Sequence, residues 1–355
     1  MQHRQSRPAD GPRPAVIVCG SVNTDTFVRV RAFPAPGETV IAEPAGTVGG
    51  GPVLGGKGAN QAVAAARFAA GSACCAGDGT VDDTGDDRAA TVYLVATVGE
   101  DAAGAAALDT LRAAGVDVSR VARSQDTPTG SAFIMGDAEG ENIIIVTSGA
   151  NTLTDPAQVP GPGDPTGEDA TPAADVLLAQ GELTPGHSAG LPDLAERHGA
   201  RFVLNLAPVT VHGHDLQELV STADPLIVNE TEAADVLGVP RETGLDEVLD
   251  GLAAAVGRGL CRSAVVTLGA RGALVIDPRG TVAVESPAPA QVVDTTGAGD
   301  AFCGTLATAL ATGSGLREAT RFAVAAGSLA VESPGASASC ADGAAVRERA
   351  GSQLS

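Results

Sequence analysis

Six short runs of Val, Ile, Leu and Ala recur along the chain, separated by stretches with helical patterning. They are AVIVCGSV (15–22), VYLVATV (92–98), DVLLAQ (175–180), RFVLNLA (201–207), PLIVNE (225–230) and SAVVTLG (263–269). Each is apolar almost throughout, which predicts strands covered on both faces, as in a parallel sheet. Between them lie NQAVAAARFAA (60–70), AAGAAALDTLRAAG (102–115) and TEAADVLG (231–238). Gly115 closes the second as a helix C′ glycine does. After Asp300, AFCGTLATALATG sets Phe302, Leu306 and Leu310 four residues apart, on one helical face. Strands alternating with helices predict an α/β fold with a mainly parallel sheet.

The 355 residues allow one large domain or two ordinary ones, with a sizeable core either way. Aromatics are only 2 %, with no Trp and one Tyr, so that core must be packed from Ala, Val and Leu. Against 43 Asp and Glu stand 22 Lys and Arg, a formal net charge of −21. This balance argues against nucleic acid or an anionic membrane as partner, because phosphate binding draws on clustered Lys and Arg. An anionic ligand must be held locally, by backbone amides or a metal, against the field of the whole molecule. No run approaches the roughly 18 apolar residues of a membrane span. Residues 1–14 have no apolar h-region and read as a disordered tail, not a secretory signal. The six Cys, at 19, 74, 75, 261, 303 and 340, show no C-x-x-C spacing and read as reduced thiols of a cytoplasmic protein.

Two segments interrupt the rhythm. Residues 71–90 carry Asp78, Asp82, Asp83, Asp86 and Asp87 in a spacing that does not fit an EF-hand, which predicts a solvated acidic loop. Residues 155–174 hold five prolines and read as a flexible insertion. The alternation continues across both, so residues 15–345 read as a single domain. Residues 27–55 and 126–150 differ again, with hairpin-like strands around Pro/Gly turns that suit a small antiparallel sheet apart from the main one.

Four constellations could carry chemistry. Gly55-Gly-Lys-Gly-Ala-Asn60 opens a helix. Gly51 to Lys57 fits the start of a P-loop, but Gly58 stands where a magnesium-binding Ser or Thr belongs. A polar ligand on the helix N-terminus explains Lys57 and Asn60 as well as the glycines. Asp294-Thr-Thr-Gly-Ala-Gly-Asp300 lies between a strand-like QVVD and an apolar helix. The N–H groups of Gly297, Ala298 and Gly299 can converge where the helix dipole adds positive potential, an anion hole suited to phosphoryl transfer. Asp300 beside it is either a helix cap or a base. GAGD is not G-x-G-x-x-G, which argues against a dinucleotide site. Asn23 and Asp25, after the first strand, are either a turn or a pair aimed at a polyol. Asn229-Glu-Thr-Glu232 is either a capping box or a support for magnesium and phosphates.

Together these segments resemble the ribokinase-like (PfkB) carbohydrate kinases, from about Ala15 to Ser339. GGKGANQAVAAARF (55–68) is similar to the family's N-terminal signature, DTTGAGDAFCGTL (294–306) to its C-terminal one, and NETE (229–232) to its N-x-x-E motif. GSVNTD (20–25), PAPGET (34–39), GENIIIVTSGAN (140–151) and LNLAPV (204–209) resemble the ribose-phosphorylating members.

The resemblance implies a doubly wound sheet with helices on both faces, plus a small β-sheet lid from about 26–54 and 126–150. It implies ATP-dependent phosphorylation of ribose at the 5-hydroxyl, with 2-deoxyribose, fructose or a nucleoside as alternative acceptors and a non-catalytic sugar sensor as a remoter one. Asp300 would be the base and Gly297, Ala298 and Gly299 the anion hole. Asn23, Asp25, Gly55, Gly56, Lys57, Asn60 and Glu182 would hold the sugar. Asn229 and Thr267, Leu268, Gly269, Ala270, Arg271 and Gly272 would line the ATP site with Gly299. Glu232 would order magnesium through water, and Asp294, Thr296, Ala330, Ser333, Gly335 and Ser339 would ligate a monovalent cation such as potassium. A homodimer packed through the lids is also implied. The insertions are longer than the family pattern, and the adenine-side position near Val324 is apolar.

Overall fold

A computed structural model describes residues 13–45, 52–70, 89–139, 141–162 and 173–352. Nearly all of the expected tail, most of the acidic loop with Cys74 and Cys75, and the middle of the Pro-rich segment lie outside the described residues. The strands are β1 (Ala15–Cys19), β2 (Asn23–Arg29), β3 (Glu43–Pro44), β4 (Val53–Gly55), β5 (Thr91–Gly99), β6 (Val121–Ser124), β7 (Gly130–Gly136), β8 (Asn142–Thr147), β9 (Val176–Gln180), β10 (Arg201–Asn205), β11 (Leu226–Asn229), β12 (Ala264–Thr267), β13 (Ala273–Asp277) and β14 (Gly280–Val284). The helices are α1 (Lys57–Ala70), α2 (Ala102–Ala113), α3 (Pro185–Ser188), α4 (Leu191–His198), α5 (Gly213–Thr222), α6 (Glu230–Leu237), α7 (Leu245–Gly257), α8 (Ala298–Ala311), α9 (Leu316–Ala330) and α10 (Gly343–Gly351).

All six apolar runs become strands of one nine-stranded sheet, in the order β14-β13-β12-β11-β10-β9-β1-β5-β6. From β12 to β6 every pairing is parallel, and β13 and β14 close one edge antiparallel. The run in β1 is unbroken because successive residues enter different cores. Val16 and Val18 pack with α1, α2, α8 and α9, while Ile17 and Cys19 pack with the α4–α7 side. The fold is therefore doubly wound, with two cores of mainly Ala, Val and Leu. The thiols of Cys19, Cys261, Cys303 and Cys340 are buried in them. Burial pushes Cys19 and Cys340 up to about 12 and Cys261 up to about 11, so they remain protonated and inert.

The small sheet runs β3-β2-β7-β8, with β4 also on β2. It is not the purely antiparallel sheet expected: β2 pairs with β7 in parallel, from Asn23 opposite Gly130 to Arg29 opposite Gly136. The two strands follow β1 and β6, which themselves run in parallel through β5, so both leave the large sheet in the same sense. The expected hairpins are both present: β2 pairs antiparallel with β3, Val28 opposite Pro44 and Arg29 opposite Glu43, and β7 with β8. Ile144, Ile145 and Val146 on β8 are 56 %, 57 % and 57 % exposed. The start of the Pro-rich segment is docked: Asp155 caps a 3₁₀ turn at Pro156–Gln158, Pro156 is buried, and its carbonyl accepts from Arg197 at 2.8 Å.

Candidate active site

Asp300 is the third residue of α8, whose N-cap is Gly297. Of the two roles open to it, capping is excluded by its partners. Its Oδ2 accepts from Asn60 Nδ2 at 3.1 Å and its Oδ1 from Gln61 Nε2 at 3.0 Å, both across on α1. The carboxylate is buried, 8 % exposed, yet lines a cavity of about 180 Å³. Burial pushes its pKa upward; Lys57 and the two amide donors oppose that without cancelling it. The result is a carboxylate with more proton affinity than an ordinary Asp, which is what a base for an alcohol needs.

The same cavity is lined by Lys57, Asn205, Asn229, Glu232, Thr267, Gly297, Gly299 and Cys303. Gly297 has φ +79, and a Cβ there would lie 2.4 Å from Cα of Ala336, so the turn into α8 admits glycine alone. One member of the expected amide trio departs: Ala298 N–H turns back to the Thr295 carbonyl at 3.3 Å. Gly297 and Gly299 thus remain as the lining residues, with the dipole of α8 behind them.

Lys57 begins α1 beside several carboxylates. Burial alone would lower its pKa, but Asp300, Glu182 and Glu232 together hold it raised, so the amine stays charged. Glu182 accepts from Ser21 Oγ and, at 3.0 Å, from the Lys57 backbone N–H, so it caps the start of α1. Asn23 is buried at the start of β2, opposite Gly55 of β4. Its Oδ1 accepts from Asn151 Nδ2 at 2.7 Å, and Asn151 Oδ1 accepts from Val22 N–H at 2.8 Å. Asp25 packs over Gly55, where a Cβ would lie 2.1 Å from Oδ2, and its Oδ1 is buried without a hydrogen-bond partner. Burial, then Glu182 and Asp300, push Asp25 up to about 6. Gly56 links this group to α1.

At the end of β11 the capping box expected as one alternative is present. Asn229 Oδ1 accepts from Glu232 N–H and Glu232 Oε2 from Asn229 N–H, each at 2.8 Å. Both side chains line the cavity nonetheless. Burial pushes Glu232 upward, against Asn229 N–H and Lys57. Thr267 ends β12, and Leu268 to Gly272 form a turn closed by Leu268 N–H to Gly272 O at 2.8 Å. Gly269, Ala270 and Arg271 form its 3₁₀ part, and Arg271 pairs with Glu230 at an exposed position. Thr267 lines the cavity, and the turn follows it directly in the chain. Val324 is a buried residue of α9 and belongs to the core.

Asp294 ties two segments together: Oδ2 accepts from Gly335 N–H and Oδ1 from Thr296 N–H, both at 2.9 Å. Burial alone would raise its pKa, but these bonds hold it below the usual carboxylate range. Ala330 ends α9, Ser333 precedes Gly335 and Ser339 follows it, so the expected cation ligands occupy the end of α9 and two loop segments that the Asp294 carboxylate joins. No cluster of three or more His, Cys, Asp or Glu is arranged for a metal among the described residues.

The sequence did not single out Gln61, Gln180 or Asn205, which link up directly behind Asp300. Ser21 and Asn151, which orient Glu182 and Asn23, were also missed. Gln61 directly follows Asn60 in GGKGANQ, but an uncharged amide inside a helix carries no signal of its own beside Lys57.

The profile described as pfkB family carbohydrate kinase matches residues 14–342. Ribokinase of Schizosaccharomyces pombe is 32 % identical over 325 residues, 91 % of this chain and 94 % of that protein. Ribokinase of Staphylococcus aureus is 31 % identical over 325 residues, 91 % of this chain and 95 % of that protein. The solved structure of Arabidopsis thaliana ribokinase complexed with ribose and ATP matches with a TM-score of 0.74 and 28 % identity, covering 95 % of this chain and 98 % of that one.

Proposed function

This chain belongs to the pfkB family of carbohydrate kinases, and from that premise we infer that it transfers the γ-phosphoryl group of ATP to the 5-hydroxyl of ribose, giving ribose 5-phosphate and ADP. The observation that carries this is a buried carboxylate, Asp300, held by Asn60 and Gln61 at the N-terminus of α8 and facing a cavity it shares with Lys57. Asp300 takes the hydroxyl proton as the oxygen bonds to the γ-phosphorus and the bond to the β,γ-bridging oxygen breaks. The N–H groups of Gly297 and Gly299, the α8 dipole and Lys57 meet the charge on the moving group. Asn23, Asp25, Gly55, Gly56, Asn60 and Glu182 hold the sugar, and Asn229 and Thr267–Gly272 flank the nucleotide. Residues 15–345 act as one kinase domain, with the small sheet as a lid that keeps water, a competing acceptor, from the phosphoryl group.

Glu232 suits magnesium held through water: one oxygen is committed to Asn229 N–H, and among the described residues it is not part of a cluster of three or more metal-ligating side chains. The loops that Asp294 joins suit a monovalent cation, with Asp294, Thr296, Ala330, Ser333, Gly335 and Ser339 as oxygen donors. When bound, the two cations supply positive charge to the ATP phosphates and behind the α8 N-terminus. Buried thiols fit a reducing, cytoplasmic setting.

The test is ADP release with D-ribose, 2-deoxyribose, fructose and nucleosides, with and without potassium. Ribose is expected to give the highest kcat/KM, and potassium to raise it. Acceptors lacking one hydroxyl leave buried polar groups of the site unpaired, so they should fall behind. Background release with ribose beside rapid release with another acceptor would overturn the ribose assignment; ribose binding without ADP release from any sugar would point to a sensor.

The exposed apolar edge of β8 supports a homodimer packed lid to lid. Ile144→Glu with Ile145→Glu is expected to yield monomers in sedimentation velocity, at unchanged far-ultraviolet circular dichroism. An unchanged sedimentation coefficient would remove the lid from the interface.

A further inference from the structure

We propose that Gln61 is a positioning residue for the base, locked in one orientation by Gln180 and Asn205 so that its side-chain NH2 group clamps Asp300 beside Asn60. The inference rests on the phosphoryl-transfer reading above.

Gln61 is 0 % exposed, and its amide is fully committed. Nε2 donates to Asp300 Oδ1 at 3.0 Å and to Asn205 Oδ1 at 2.9 Å, while Oε1 accepts from Gln180 Nε2 at 2.9 Å. Reversing the amide would set its oxygen against two oxygens and its NH2 against another NH2. Three bonds would become three repulsions, so only one orientation is tenable. Asn205 is oriented in turn, since its Nδ2 donates to the Ile227 carbonyl at 3.4 Å. Gln180 has its place because residue 20 lacks a side chain: a Cβ on Gly20 would lie 1.9 Å from Gln180 Oε1. Strands β9 and β10 thus fix the amide on α1 that fixes the carboxylate on α8.

The consequence is chemical as well as geometric. A neutral donor on each carboxylate oxygen favours the ionised form and leaves the remaining lone pairs for an incoming hydroxyl. The titratable groups facing Asp300 are Lys57 on α1, Asp25 on β2, Glu182 after β9, Cys303 on α8 itself and Cys340 before α10. Only Lys57 among them is a cation. Gln61 and Asn60 therefore supply, without charge, stabilisation that Lys57 must share with Glu182 and Glu232.

Gln61→Met removes the donors at nearly constant volume. The acidic limb of the kcat–pH profile is expected to move up by about one unit, the worth of one hydrogen bond to a charged group. The ribose KM should change by less than about threefold, because no sugar contact is removed. A second readout does not need turnover: carboxyl-carbon NMR titration of Asp300 in the ligand-free protein, assigned with Asp300→Asn, should move by the same amount. Gln180→Met keeps Gln61 and its two donor bonds but removes the partner that holds Oε1, so a smaller shift in the same direction is expected there. Should Gln61→Met fail to fold, Gln180→Met carries the test. A folded variant with both limb and titration unmoved overturns the clamp, even if its melting temperature falls. If the wild-type protein releases no ADP with any sugar, the kinase reading fails, and the NMR titration still decides whether Gln61 holds Asp300.

Discussion

Asp300→Asn is expected to lower kcat about 10³-fold while leaving the ribose Kd within about threefold, since general-base catalysis supplies about 10²–10⁴ and the amide keeps the shape of the carboxylate. The exchange is not silent in the network. Asp300 offers two acceptor oxygens to two amide donors, Asn60 Nδ2 and Gln61 Nε2. An Asn side chain can satisfy one and must oppose the other with its own NH2. Stability should nevertheless not suffer above neutral pH. Asp300 has its pKa raised in the folded protein, chiefly by burial. A carboxylate so shifted binds its proton more tightly folded than unfolded. Its unfavourable contribution is therefore absent below the unfolded pKa and appears as pH rises through the folded one. The Asn variant escapes that cost. Single-turnover ADP release, ribose calorimetry and thermal melts check the three parts separately. Near-normal turnover would remove Asp300 from its role, and lost ribose affinity at normal turnover would make it a sugar ligand only.

Much of the fold was open to reading because buried parallel strands need residues apolar on both sides, and β1, β9, β10, β11 and β12 each show an unbroken run. The antiparallel edge of β13 and β14 was not foreseen. Its second strand, GTVAV, is largely exposed and gives no continuous apolar run. Helix α9 was missed for a different reason. Its two faces do contrast, with Glu318 and Arg321 exposed and Ala319, Ala323, Val324 and Ala326 buried, but the buried side is built mostly from Ala, which does not stand out in a chain this rich in Ala. The parallel pairing of β2 with β7 depends on where β1 and β6 end in space, which no local pattern encodes. At the site, charged and glycine residues stood out because each has few bland explanations. Gln61, Gln180 and Asn205 did not, since an uncharged amide in a helix or strand is unremarkable until its partners are known. Ala298 was named for its backbone amide, but the bond of that N–H to the Thr295 carbonyl depends on local turn geometry that the residue type does not encode.

Asp25→Asn is expected to separate stability from binding. In the ligand-free protein Asp25 Oδ1 is buried with no hydrogen-bond partner, and the carboxylate lies near Glu182 and Asp300. Burial first, then those two charges, push its pKa from an ordinary 3.8 up to about 6. The group is a liability that a sugar would relieve by donating hydroxyl hydrogens to it. With the folded pKa above the unfolded one, wild-type stability is full below about pH 4 and declines as pH rises towards 6 and beyond. A shift of about two units corresponds to about 3 kcal/mol, so Asn should raise the melting temperature by several degrees at about pH 8 and by little at about pH 4. Ribose affinity should move the other way. Losing charge-assisted bonds to the sugar, each worth about 1.5–3 kcal/mol, predicts a KM raised about 10²-fold. Saturating ribose should then stabilise the wild-type protein and barely touch the variant, because ligand stabilisation scales with occupancy. Melts at the two pH values, with and without ribose, form the experiment. Equal gains at both pH values would show that the carboxylate is not the source of the cost, and undiminished stabilisation of the variant by ribose would take Asp25 out of the sugar site.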